Sequence, residues 1–168
     1  MLRVRLRAFF AGGLAAIAAA CGGPQFDGHV FRGDEVAFRV GPVPETWRRI
    51  DVSTAELAFR DDSTKVTVAV NARCGVDGDD VPLQALTHHL FLHFNDRRVE
   101  SQEELMLDDR AALRTELLAD LDGVRKYYVV YVLKKDGCVY DFLSIADLEA
   151  TNPAPFDRFV HGFSTVRS

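Results

Sequence analysis

Val124-Arg125-Lys126-Tyr127-Tyr128-Val129-Val130-Tyr131-Val132-Leu133-Lys134-Lys135-Asp136-Gly137-Cys138-Val139-Tyr140-Asp141-Phe142 contains two runs of β-branched and aromatic residues that meet at an Asp-Gly pair. Such side chains favour extended chain because they pack well on a pleated surface. Asp-Gly tolerates positive φ in a two-residue turn, and the twist of that turn matches the strands it joins. The spacing predicts a hairpin of strands over 124–133 and 138–146. A second pair, Asp122-Gly123, connects it to a strand over 110–121, so three antiparallel strands form a meander.

Upstream, 99–107 reads as a further strand. Val36-Ala37-Phe38-Arg39-Val40 alternates until Gly41-Pro42-Val43-Pro44 breaks it. Short extended segments follow at 47–50, 57–60 and 65–73, separated by polar turns such as Asp61-Asp62-Ser63-Thr64. Val66, Val68 and Val70 share one face of the last segment, and that face belongs in a core. Helical period appears twice. Pro82 stands at a helix start, and Leu83, Leu86, Leu90 and Phe94 predict an amphipathic helix over 82–94. After Asn152-Pro153-Ala154-Pro155, the stripe Phe156, Phe159, Val160 and Phe163 predicts a short closing helix. A half-buried antiparallel β-sheet needs such helices as cover, so the fold class is α+β, an α/β/α sandwich with flanking helices.

The chain opens with Arg3, Arg5 and Arg7 and no acid, then runs from Ala8 to Ala20 without a polar side chain. A basic start before a short apolar run is the signal-peptide pattern. The run is too short for the roughly 20 residues that span a bilayer as a helix. Ile17-Ala18-Ala19-Ala20-Cys21 resembles the lipobox of bacterial lipoproteins, with Ala18 where leucine is usual. The resemblance implies removal of residues 1–20 and acylation of Cys21. An ordinary secretory peptide cut at Ala-x-Ala is the alternative. Two or three acyl chains hold a protein at a membrane where one would not. Gly22, in place of the aspartate that marks inner-membrane retention in enterobacterial lipoproteins, favours the periplasmic side of the outer membrane. Residues 21–28, rich in Gly and Pro, read as a lipidated tether, and 29–168 as a single domain.

The chain carries 20 basic and 25 acidic residues, and loss of residues 1–20 removes three of the bases and no acid. An acidic domain without a basic stripe repels phosphate, which excludes nucleic acid as a partner. Lipidation of Cys21 leaves Cys74 and Cys138 as an even pair in an oxidising compartment. They are either a disulfide or two buried thiols on separate strands.

The order of these elements resembles the PsbP-like fold: a strand after Pro44 at Trp47, a hairpin with Ala58-Phe59-Arg60-Asp61, a valine-rich strand, a helix, a long meander and a closing helix with Phe163-Ser164. That family is named for an extrinsic subunit of the oxygen-evolving photosystem. The resemblance covers about residues 30–166 and implies a non-catalytic protein that docks on a larger assembly. Lys134-Lys135-Asp136-Gly137-Cys138-Val139-Tyr140-Asp141-Phe142 and Leu83-Gln84-Ala85-Leu86-Thr87 also look similar to small lipoproteins of delta-type proteobacteria.

Residues with reactive chemistry are few. His88, His89 and His93 fall on the 82–94 helix, where His89 and His93 have the spacing of two metal ligands. Leu90 occupies the place of a zincin glutamate, and Asp96 is one candidate for a third ligand by helical proximity. The natural expectation is half-exposed histidine at the edge of the apolar stripe. Ser144 lies mid-strand without a nucleophile elbow. Asp61-Asp62, Asp79-Asp80 and Asp108-Asp109 read as solvated turn residues, and Asp77-Gly78-Asp79-Asp80 lacks the length of a calcium loop. No cofactor fingerprint is present. Tyr127 and Tyr131 alternate with Tyr128 across one strand, so one set is expected to be exposed as a binding surface. The expected function is a membrane-anchored, non-catalytic periplasmic lipoprotein that binds an envelope protein. A carrier or sensor of a small apolar ligand, and then a metal-dependent hydrolase, are the alternatives.

Overall fold

The computed structural model describes residues 23–75 and 80–166. Eleven strands and two helices occur among them. A small sheet contains β1 (Gln25–Phe26), β2 (Val30–Arg32), β3 (Ala37–Arg39) and β11 (Ser164–Thr165). The main sheet contains β4 (Trp47–Arg49), β5 (Leu57–Asp61), β6 (Val66–Cys74), β7 (Asn95–Leu107), β8 (Arg110–Leu121), β9 (Val124–Lys135) and β10 (Cys138–Ala146). Its order is β4-β5-β6-β10-β9-β8-β7, antiparallel throughout. Helices α1 (Leu83–Leu90) and α2 (Ala154–His161) lie on opposite faces of it.

The meander forms in the predicted register, with Asp122, Gly123, Asp136 and Gly137 all at positive φ. Asp108 and Asp109 do the same between β7 and β8, so a third tight turn adds a strand to the meander. β10 then pairs with β6, which places the predicted valine face of β6 in the core.

The face under α2 is closed by aromatic packing. Phe159 of α2 lies 5.6 Å from Trp47, 5.9 Å from Phe59 and 6.5 Å from Phe142, ring centre to ring centre. Phe31 and Phe38 bring the small sheet into the same cluster. The loop after β3 and the end of α2 touch backbone to backbone. The Gly41 N–H donates to the Phe159 carbonyl at 2.8 Å, and a Cβ on Gly162 would lie 2.3 Å from the Gly41 Cα. Only glycine at both positions permits that approach.

The opposite face is covered less. α1 packs through Leu86, with Phe91 just beyond it, onto Leu117, Tyr128, Val130 and Val132 of β8 and β9. It ends at Leu90, short of the predicted 94, because residues 91–93 form a turn that leads into β7. Ala69 of β6 and Leu143 and Ile145 of β10 are left half-buried. Two further differences concern strands. β7 begins at Asn95, before the predicted 99, and is almost wholly exposed. Gln25 and Phe26 pair with Arg32 and Phe31, so regular structure starts ahead of the expected boundary at 29. No helix of the described residues is long and apolar enough to cross a membrane.

Candidate functional site

Two charged arrangements are built into the main sheet, one on each face. On the α2 side, Arg114 of β8 and Tyr131 of β9 are directly opposed in register. The Arg114 Nε donates to the Tyr131 hydroxyl at 2.9 Å, and its Nη1 lies 2.6 Å from Glu116. The Tyr131 hydroxyl donates to Asp157 of α2 at 2.7 Å, and the Arg114 Nε lies 3.3 Å from the same carboxylate. A buried charge is costly unless paired. Burial opposes the Arg114 charge, but Glu116 and Asp157 outweigh it and hold the guanidinium above its ordinary pKa. Burial, then the bond to Asp157, pushes the Tyr131 hydroxyl upward. Neither group exchanges a proton near neutral pH. The cluster is a clamp that fixes the position of α2 on the sheet.

On the α1 side, alternation along β10 places Asp141 between Val139 and Leu143, outside the apolar cluster that packs under α1. Asp141 is 1% exposed, and its carboxylate accepts from the Asn71 Nδ2 at 2.5 Å, with the Arg73 Nη2 at 3.4 Å. Asn71, Arg73 and Asp141 lie on the wall of a recess of about 490 Å³, closed by Leu90, the loop 53–56 and Pro24. Opposed charges and amide groups on one wall suit a polar ligand or the side chains of a protein. Pro24, near the start of the described residues, lies at its rim.

The predicted site residues are placed as follows. Cys21 lies outside the described residues, as do Asp77, Gly78 and Asp79. Cys74 and Cys138 form a disulfide across β6 and β10, where they are directly opposed. His88, His89 and His93 are exposed, and His93 lies beyond the helix, so the helical spacing that joined it to His89 does not exist. Among the described residues no three His, Cys, Asp or Glu side chains are grouped to hold a metal. The expectation of exposed tyrosines is corrected. Tyr128 and Tyr131 are fully buried, and Tyr127 is half-buried with its hydroxyl bonded to Glu116. Both faces of β9 are covered, by α1 and its following turn on one side and by α2 on the other. Tyr128 is packed edge-on by Phe91 and Phe94 at 5.5 and 5.4 Å, and burial, with Asp120 nearby, pushes its hydroxyl up to about 12.

The paired aspartates also differ from expectation. Asp61 is buried and accepts from the hydroxyls of Ser63 at 2.5 Å and Thr46 at 2.9 Å. The Ser63 bond is the main cause of its pKa falling from 3.8 to about 2. Asp108 accepts from the Thr165 N–H at 2.9 Å and pairs with Lys135 at 2.6 Å, so a turn residue ties β7 to β11 and β9. Asp141, Asn71, Arg73, Arg114 and Asp157 were not read as site residues. The signal for two of them was present: Asp141 and Arg114 are charges inside otherwise apolar, alternating strands.

No protein-family model and no curated protein matches the chain by sequence. Solved structures do match. Cyanobacterial PsbP from Synechocystis superposes with a TM-score of 0.57 at 14% identity, covering 89% of this chain and 99% of that one. LpqN of Mycobacterium tuberculosis, involved in cell envelope biogenesis, superposes with a TM-score of 0.57 at 15% identity, covering 80% and 87%. A structure from Bacteroides thetaiotaomicron gives 0.54 at 10% identity, and the chain spans 46% of its length. The fold is PsbP-like.

Proposed function

We propose that this chain is a non-catalytic accessory lipoprotein of the cell envelope, held to a membrane through acylated Cys21 and binding a protein partner on the periplasmic side. The observation that carries this reading is the closeness in sequence of a lipobox-like Ala18-Ala19-Ala20-Cys21 to a PsbP-like domain whose strand β1 includes Gln25. The fold is shared with an envelope-biogenesis protein, which supports the compartment. Two residues, Gly22 and Gly23, separate Cys21 from Pro24, a span of about 10 Å at most when extended. The Asp141 recess then faces the region next to the membrane, where a neighbouring envelope protein meets it from the side.

The two alternatives find less support. The space between the main sheet and α2, where a small apolar ligand would sit, is filled by Trp47, Phe59, Phe142 and Phe159. A hydrolase built on His89 and His93 lacks a shared helix face. Crosslinking and affinity purification of the full lipoprotein from its native envelope is the test. The expected result is a stoichiometric partner, lost when Cys21→Ser releases the protein from the membrane. A protein that is processed and membrane-bound without Cys21, or that is reproducibly recovered alone, contradicts the proposal.

A further inference from the structure

The main sheet ends at β7, whose outer side pairs with no strand among the described residues. Edge strands of this length are usually blunted by charge, because free N–H and C=O groups invite another chain. β7 is charged, but the pattern is ordered: Arg97-Arg98-Val99-Glu100-Ser101-Gln102-Glu103-Glu104. Laid antiparallel against a second copy of itself, with the two-fold axis between Glu100 and Ser101, the segment sets Arg97 opposite Glu104 and Arg98 opposite Glu103. Each pair occurs twice. Directly opposed unlike charges stabilise a strand pair, and like charges destabilise it.

Such pairing requires partners to point to the same face, and a regular strand would not allow it, since residues separated by an odd number alternate. The register shift between Val99 and Ser101 supplies the extra residue that restores the match. Arg97 reaches the Phe91 carbonyl and Glu104 reaches Gln84, both on the α1 side. Arg98 stands opposite Leu118, and Glu103 lies 3.8 Å from Arg114, both on the α2 side. Val99 and Gln102, opposed in the same register, both line the hollow beside α1. Val99 at 59% and Met106 at 64% are the two most exposed large apolar side chains among the described residues, and both are on this strand.

We propose that β7 is a homodimer interface, through which two copies pair edge to edge in the register Arg97–Glu104, Arg98–Glu103 and Val99–Gln102. The main sheet then runs continuously through both protomers, and the interface is isologous, as a two-fold requires. This inference is independent of the partner bound by the domain.

The test is sedimentation or native mass spectrometry of the full chain in detergent. The wild-type protein forms a dimer that weakens as salt is raised. Arg97→Glu/Arg98→Glu and Glu103→Lys/Glu104→Lys each place like charges opposite one another in a self-pair, and each raises the dissociation constant at least about tenfold. An equimolar mixture of the two variants restores unlike charge at every position and yields a heterodimer, which also shows that both variants are folded. Independently, Val99→Cys/Gln102→Cys gives a covalent dimer on mild oxidation. A monomeric wild-type chain, a dimer indifferent to both charge variants, or a cysteine variant that oxidises without an intermolecular bond overturns the proposal.

Discussion

The two faces of the main sheet are built from similar apolar strands yet finished in opposite ways. The α2 face is sealed: aromatic rings fill it, the Gly41–Gly162 backbone contact holds the end of α2 against it, and Arg114, Tyr131 and Asp157 fix the helix in place. The α1 face carries a single eight-residue helix and leaves β6, β10 and the β7 edge partly open. Burial supplies most of the stabilising free energy, at about 25 cal/mol per Å² of apolar surface. The sealed face therefore carries stability, and the open face is where surface remains for recognition.

Substitutions on the two faces should separate in size. Phe159→Ala removes a ring that meets Trp47, Phe59 and Phe142, and should cost about 4 kcal/mol in urea unfolding. Gly162→Ala forces a methyl group into the Gly41 backbone and should cost about 3 kcal/mol, with the aromatic near-ultraviolet signal perturbed as α2 shifts. Leu86→Ala, the corresponding change under α1, should cost about 2 kcal/mol, because the short helix can settle into the space. A loss as large as that of Phe159→Ala would show that the two faces carry stability equally.

Acid should act selectively as well. The folded-state pKa of Asp61 is depressed to about 2 from 3.8, so its contribution is fully present above the higher value and is lost as pH falls through the lower. Thermal melts between pH 5 and pH 2 should show this loss, and Asp61→Asn should flatten the profile in that window. At the small end, His89→Ala with His93→Ala on the open side should change stability by less than about 0.5 kcal/mol, since both side chains are exposed.

Local chemistry made much of the fold legible in the sequence. Asp122-Gly123 and Asp136-Gly137 set the meander, and the periods of Leu83 to Leu90 and Phe156 to Phe163 set the two helices. What depended on distant partners was harder to read. Tyr128 and Tyr131 were expected to differ in exposure, but helices far along the chain cover both faces of β9. Asp61 and Asp108 look like solvated turn residues because nothing near them in sequence identifies Thr46 or Thr165 as partners. The pairing of Cys74 with Cys138 was left open by composition and decided by strand register. The Asp141 recess joins β6, β10, α1 and the N-terminal segment, so no single stretch of sequence contains it.

Native-state hydrogen exchange of the full chain tests the contrast between the faces most directly. Amides of α1 and β7 should exchange through local openings well below the global unfolding free energy, while those of β5, β6, β10 and α2 should exchange only with global unfolding. Equal protection on both faces, or earlier exchange in α2 than in α1, would contradict it.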